Sequence, residues 1–251
     1  MPDFYSYLQE KNKIDPRLCD LARKAEKKAK PEFEMVEETA KINQCRVLSA
    51  FREAGICEYH LRDGNGYGYG DPGREGLEKV YALAFGAEAA LARAQIISGT
   101  HAISLALASI LKPGDLLLSA TGTPYDTLAK IIGVTKAEGR SLSGQGILYK
   151  EAALTAEGNP DYERIRELLR EKPRMVLIQR SRGYSRRPAL SVEEISDLIT
   201  FIKNQDRDAV CFVDNCYGEF VEEREPTDVG ADLIAGSLIK NPGGGLAPSG
   251  G

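Results

Sequence analysis

Four short stretches of this 251-residue chain put reactive or ligand-holding side chains where apolar runs end. Lys240 closes the run Leu233-Ile234-Ala235-Gly236-Ser237-Leu238-Ile239, read as a strand. An amine desolvated by such neighbours favours its free base and can form a Schiff base with an aldehyde. Most lysines are only surface charges, so the assignment needs company. Asp214 ends the apolar run Val210-Cys211-Phe212-Val213, 26 positions earlier. A strand-end acid can keep a pyridine nitrogen protonated, so that the ring acts as an electron sink, or it can simply form a turn. Ser98-Gly99-Thr100-His101 follows Ile96-Ile97 at a step from strand into helix, where free N–H groups and the positive dipole end bind phosphate. The same residues would also serve as an ordinary helix cap. Tyr125, in PYDTL, follows the next strand at the carboxyl edge where α/β ligands bind, a position at which a lone tyrosine is usually packing.

The elements that must carry these residues alternate. Residues 15–54 read as helix in two pieces, with Asp15-Pro16 opening the first, Pro31 the second, and Gly55 at the C′ position. HLRDGNGYGYGDPG, 60–73, reads as a glycine-rich loop, and a helix follows over Arg74–Phe85 with Gly86 closing it. Beyond it, apolar runs at Ala92–Ile97, Leu116–Ser119, Met175–Gln179, Val210–Val213 and Leu233–Ala235 are separated by helical patterns ending at Leu111, Ile132 and Asn204. Parallel neighbours need crossover connections, so this alternation predicts an α/β fold, a mostly parallel sheet with helices on both faces. The expected organisation is an N-terminal helical segment, 1–58, and one α/β domain, 59–251. The chain stops inside the glycine-rich KNPGGGLAPSGG, so a further, smaller C-terminal domain is expected beyond it.

Composition narrows the function classes. With 42% hydrophobic and 28% charged residues the chain is globular, and a formal charge of -4 offers no global attraction to nucleic acid or anionic membranes. The longest apolar run, Ala102–Leu111, is far short of the roughly 20 residues that span a bilayer. The N-terminus has no apolar signal core, so the reading is a cytoplasmic protein without nucleic-acid or membrane partners. Five cysteines without C-x-x-C spacing and only two histidines, His60 and His101, suggest neither a disulfide framework nor a metal site. GNGYGYG lacks the spacing and the strand-turn-helix setting of a dinucleotide fingerprint, and no P-loop motif is present.

The order SGTHA, PYDTL, VDNCYGEF, GSLIK resembles the fold-type-I pyridoxal-phosphate (PLP) enzymes, specifically the cystathionine and methionine lyase branch. From about Tyr59 onward the chain is similar to the methionine-γ-lyase-like family known as aluminium-resistance proteins. The resemblance implies a PLP-transferase-like large domain and elimination of a thiol from a sulfur amino acid. It implies backbone N–H groups of Gly99 and Thr100, beside Ser98 and His101, at the cofactor phosphate, with the Ser237 hydroxyl added. It implies Tyr125 stacked on the pyridine ring, Asp214 at the ring nitrogen, and Lys240 as the Schiff-base lysine, with either Tyr125 or Lys240 as the expected proton donor. Tyr67, Tyr69 and Arg74 resemble, loosely, the family loop that reaches the phosphate of a neighbouring subunit, which implies a homodimer or homotetramer with shared active sites. QRSRGYSRRP, 179–188, departs from the lyase substrate loop and puts Ser181, Arg182 and Tyr184 in its place. The same scaffold also hosts aminotransferases and aldolases, and a non-catalytic stress protein is the alternative outside enzymes.

Overall fold

The computed structural model describes residues 3–62, 64, 69–93, 95–136 and 139–251. The chain falls into two compact units, Met1–Gln44 and Cys45–Gly251. In the first, α1 (Phe4–Asn12) is capped by Asp3, whose carboxylate accepts the Ser6 N–H at 2.9 Å. It is followed by α2 (Pro16–Ala54), a single helix rather than the expected two. Pro31 lies inside it without ending it. Proline removes one helical hydrogen bond to the carbonyl four residues back, and both Pro31 and Lys27 are exposed, where water can replace that bond. Gly55, at φ +71°, then ends the helix as expected.

The second unit is built on five parallel strands: β1 (Leu116–Ser119), β2 (Leu148–Glu151), β3 (Met175–Gln179), β4 (Val210–Asp214) and β5 (Leu233–Ala235). Their order across the sheet is β2-β1-β3-β4-β5. Successive side chains of a strand face opposite sides, and the two faces are covered by different helices. Met175, Leu177, Leu117 and Phe212 pack with α4 (Gly99–Ile110) and α5 (Asp126–Ile132), through Ile103, Leu107, Leu128 and Ile132. Val176, Ile178, Cys211 and Val213 pack with α6 (Tyr162–Leu169) and α7 (Val192–Gln205). The α/β class with helices on both faces is therefore what the chain adopts. α3 (Pro72–Ala84), capped by Asp71, joins Ala50 and Phe85 in a third, smaller apolar cluster.

Two expected strands differ. Residues 92–97 form no strand among those described. Instead the carbonyls of Ile96 and Ile97 accept from the N–H groups of Gly251 and Gly250, each at 3.0 Å. The strand before Lys240 ends at Ala235, leaving the lysine in a turn. β2 and α6 were not anticipated. At the sheet edge β2 alternates exposed Leu148 and Lys150 with half-buried Tyr149 and Glu151, which reads as polar surface. Among the described residues no helix is long and apolar enough to cross a membrane.

Phe212 is fully buried and pairs with Leu177 across the β3–β4 ladder. Phe212→Ala is expected to cost about 3–5 kcal/mol in urea unfolding; a loss of about 0.5 kcal/mol, typical of surface sites, would contradict this packing.

Candidate active site

The strand order reverses at the β1–β3 boundary, since the chain leaves β1 for one edge and returns to build β3, β4 and β5 on the other side. Loops leaving such neighbours diverge and open a crevice at their carboxyl ends. A cavity of about 690 Å³ lies there, lined by Tyr125, Asp214 and Lys240 together with Arg182 and Tyr184. The register aligns Gln179 with Asp214 and Asp214 with Ala235, so three strand tips end level.

Asp214 is 1% exposed, and one carboxylate oxygen accepts the Cys216 N–H at 3.1 Å. Burial pushes its pKa up, opposed by the hydrogen bonds to Cys216 and by the charges of Lys240 and Arg187. Sequence reasoning missed Arg187. Its guanidinium is buried and donates to the carbonyls of Gln179 (2.6 Å) and Pro188 (2.9 Å), and burial pulls its pKa down while Asp214 raises it. Arg180 was missed as well. Its Nη1 donates to Asn215 Oδ1 (2.9 Å) and the Gly218 carbonyl (2.7 Å), tying the tip of β3 to the loop after β4. Their only signal was the arginine-rich QRSRGYSRRP itself, in which buried and exposed arginines look alike.

Tyr125 precedes α5, its N–H donating to Gln179 Oε1 at 3.1 Å. Its hydroxyl lies 3.1 Å from Thr100 Oγ1, and burial pushes the phenol up to about 12, so it keeps its proton at neutral pH. Ser98 caps α4, its Oγ accepting the His101 N–H at 3.2 Å. The His101 ring turns back so that Nδ1 accepts from the Ile97 N–H at 3.4 Å. Gly99 is required by proximity, because a Cβ there would stand 2.7 Å from the Cβ of buried Ser237. The start of α4 thus abuts the turn that carries Lys240, whose Nζ rests 3.9 Å from the centre of the Tyr217 ring.

The structure therefore brings Tyr125, Asp214 and Lys240 to one cavity, links Thr100 to Tyr125, and sets Gly99 against Ser237. Ser181, Arg182 and Tyr184 also line the cavity, with Tyr184 95% exposed. Tyr69 is 83% exposed, Arg74 pairs with Asp71 at 3.2 Å, and neither lines the cavity. Tyr67 lies outside the described residues.

Comparison with known proteins places this geometry among relatives. The family model described as methionine gamma-lyase matches residues 18–251. The uncharacterized Bacillus subtilis protein YnbB is 51% identical over 217 residues, 86% of this chain and 52% of that protein. A Listeria monocytogenes crystal structure, provisionally named a cystathionine beta-lyase involved in aluminum resistance, is 50% identical, with a TM-score of 0.89 over 92% of this chain and 59% of its own. A Clostridium novyi carbon-sulfur lyase involved in aluminum resistance is 45% identical, with a TM-score of 0.93 over 100% of this chain and 60% of its own. The chain thus spans between half and three-fifths of these relatives.

Burial raises Asp214, Glu219 and Glu225 alike. A carboxyl raised in the folded state binds more protons folded than unfolded, so its contribution to stability is present below the ordinary carboxylate range, about pH 4, and lost as pH rises through the raised value. The contribution of Asp214 is therefore expected to fall as pH increases from about 4, so that Asp214→Asn gains thermal stability relative to the cofactor-free wild type over that range. Identical pH slopes for the two proteins would contradict the burial of Asp214.

Proposed function

The chain belongs to the methionine gamma-lyase family, and on that premise we propose that it acts as a PLP-dependent carbon-sulfur lyase on a sulfur amino acid. The observation that carries the proposal is the meeting of a buried carboxyl, Asp214, and a lysine amine, Lys240, in one cavity at the strand-order reversal. The donor set fits the cofactor: an amine for an aldehyde, an acid for a ring nitrogen, and a capped helix start abutting a buried serine for a phosphate. When bound, pyridoxal phosphate supplies an aldehyde for amines and a protonated ring that draws electrons from the substrate Cα.

Each side chain then has a bounded task. Lys240 Nζ would hold the aldehyde and, once the substrate amine replaces it, accept the proton from Cα. Asp214 would hold a proton at the ring nitrogen, its carboxylate supported by Cys216 N–H and by the nearby charge of Arg187. The N–H groups of Gly99 and Thr100 and the Ser237 hydroxyl would bind phosphate, with Ser98 and His101 fixing the first turn of α4. Tyr125, protonated across the neutral range, would stack on the ring and give its proton to the departing sulfur, which leaves as a thiol. Arg182 and Tyr184 would face the substrate side chain from the cavity rim. Tyr69 and Arg74, which do not line this cavity, would, like Tyr67, serve a second subunit in a homo-oligomer.

Lys240→Ala is expected to abolish both turnover and the visible absorbance of lysine-bound cofactor; a variant that keeps both refutes the assignment. Tyr125→Phe should retain the absorbance while slowing release of pyruvate or 2-oxobutyrate from cystathionine or methionine by about 10²–10⁴-fold. Full activity in that variant would remove the tyrosine from proton donation.

A further inference from the structure

The turn that carries Lys240 is held from both ends by one short loop. Before the lysine, the Ser237 N–H donates to Glu219 Oε1 at 3.0 Å. After it, Asn241 Nδ2 donates to the carbonyls of Glu219 (2.9 Å) and Tyr217 (3.2 Å). Between these ties the ammonium of Lys240 rests on the Tyr217 ring. Tyr217 and Phe220 hold φ of +69° and +60°, a left-handed backbone that side chains other than glycine adopt at a cost. Between these two residues Glu219 reaches back to the Ser237 N–H.

Glu219 is poorly placed for a purely structural acid. It is 1% exposed, its Oε2 has no hydrogen-bond partner among the described residues, and it meets the Gly236 backbone so closely that a Cβ on Gly236 would stand 2.5 Å from Oε1. Burying a carboxyl with one oxygen unpartnered is unfavourable, so an apolar side chain of like volume would be the more stable occupant. Apart from its own backbone N–H, the acid accepts from the backbone of Ser237, and Ser237 is the residue packed against Gly99 at the start of α4.

We propose that Glu219, with Asn241, is a positioning residue that fixes the Ser237–Lys240 turn against the N-terminus of α4. In that position the serine and the helix start can share one phosphate while the lysine amine stays over the cavity. The proposal rests on the reading of the site as a PLP site. It assigns Glu219 no contact with the cofactor and no proton transfer; its part is the acceptor oxygen that holds the Ser237 N–H.

Pyridoxal phosphate is titrated into the cofactor-free protein, with the Lys240-dependent visible band as readout and thermal unfolding measured alongside. Glu219→Leu keeps the volume and loses the acceptor, whereas Glu219→Gln keeps an acceptor oxygen. Glu219→Leu is expected to weaken cofactor binding by roughly tenfold or more without a matching loss of thermal stability, and Glu219→Gln to stay within about threefold of wild type. Binding by Glu219→Leu equal to wild type, or a loss in Glu219→Gln as large as in Glu219→Leu, overturns the proposal. Should Glu219→Leu not fold, Asn241→Ala at the exposed second tie decides: weakened binding upholds the clamp and unchanged binding overturns it. A wild type that shows no such band refutes the reading of the site as well, whereas a normal wild type confines any failure to Glu219.

Discussion

A carboxyl group at the tip of a central strand, 1% exposed and supported by one backbone N–H, is the constraint around which this site is built. Removing such a group from water is expensive unless positive charge answers it. Asp214 is answered by Lys240 and by the buried guanidinium of Arg187, itself held by the backbone carbonyls of Gln179 and Pro188. That arrangement leaves the carboxyl available to a further hydrogen-bonding cation in the cavity, which is the demand a pyridinium ring would make in the proposed reaction.

The sheet makes the constraint possible. Only a strand flanked on both sides can bury its terminal side chain so deeply, and β4 lies between β3 and β5 with apolar clusters above and below. The level ends of β3, β4 and β5 then deliver Gln179, Asp214 and the turn to Lys240 side by side. Gln179 extends the order outward, accepting from the Tyr125 N–H and donating to the Ser181 carbonyl at 3.0 Å. Position thus passes from a hydrophobic core through a short polar relay to the reactive groups. The left-handed residues Tyr217 and Phe220 sit in the loop that closes the relay, where local strain would be expected.

Much of this was legible in the residues. Apolar runs ending in Asp214 and followed by Lys240 marked strands whose ends reach the cavity, and Ser98 with Gly99 marked a capped helix start. What stayed hidden shares a cause. Arg187, Arg180 and Glu219 look like surface charges in sequence, because burial of a charged residue depends on partners that the fold supplies: Arg187 turns back to Gln179 at the end of β3, Arg180 reaches Asn215 just after β4, and Glu219 meets Ser237 beyond β5. Pro31 misled in the opposite direction, since a proline can stay inside an exposed helix where water takes over the carbonyl it leaves free. The run at 92–97 reads as a strand, yet the carbonyls of Ile96 and Ile97 are taken by the glycines at 250–251, a pairing no local pattern announces.

One lysine, beside one buried acid, is proposed to carry the cofactor. Borohydride reduction of the protein loaded with pyridoxal phosphate, followed by peptide mapping by mass spectrometry, tests it most directly. A pyridoxyl group fixed on Lys240 alone is the predicted result. Labelling spread over surface lysines, or none at Lys240, would contradict it.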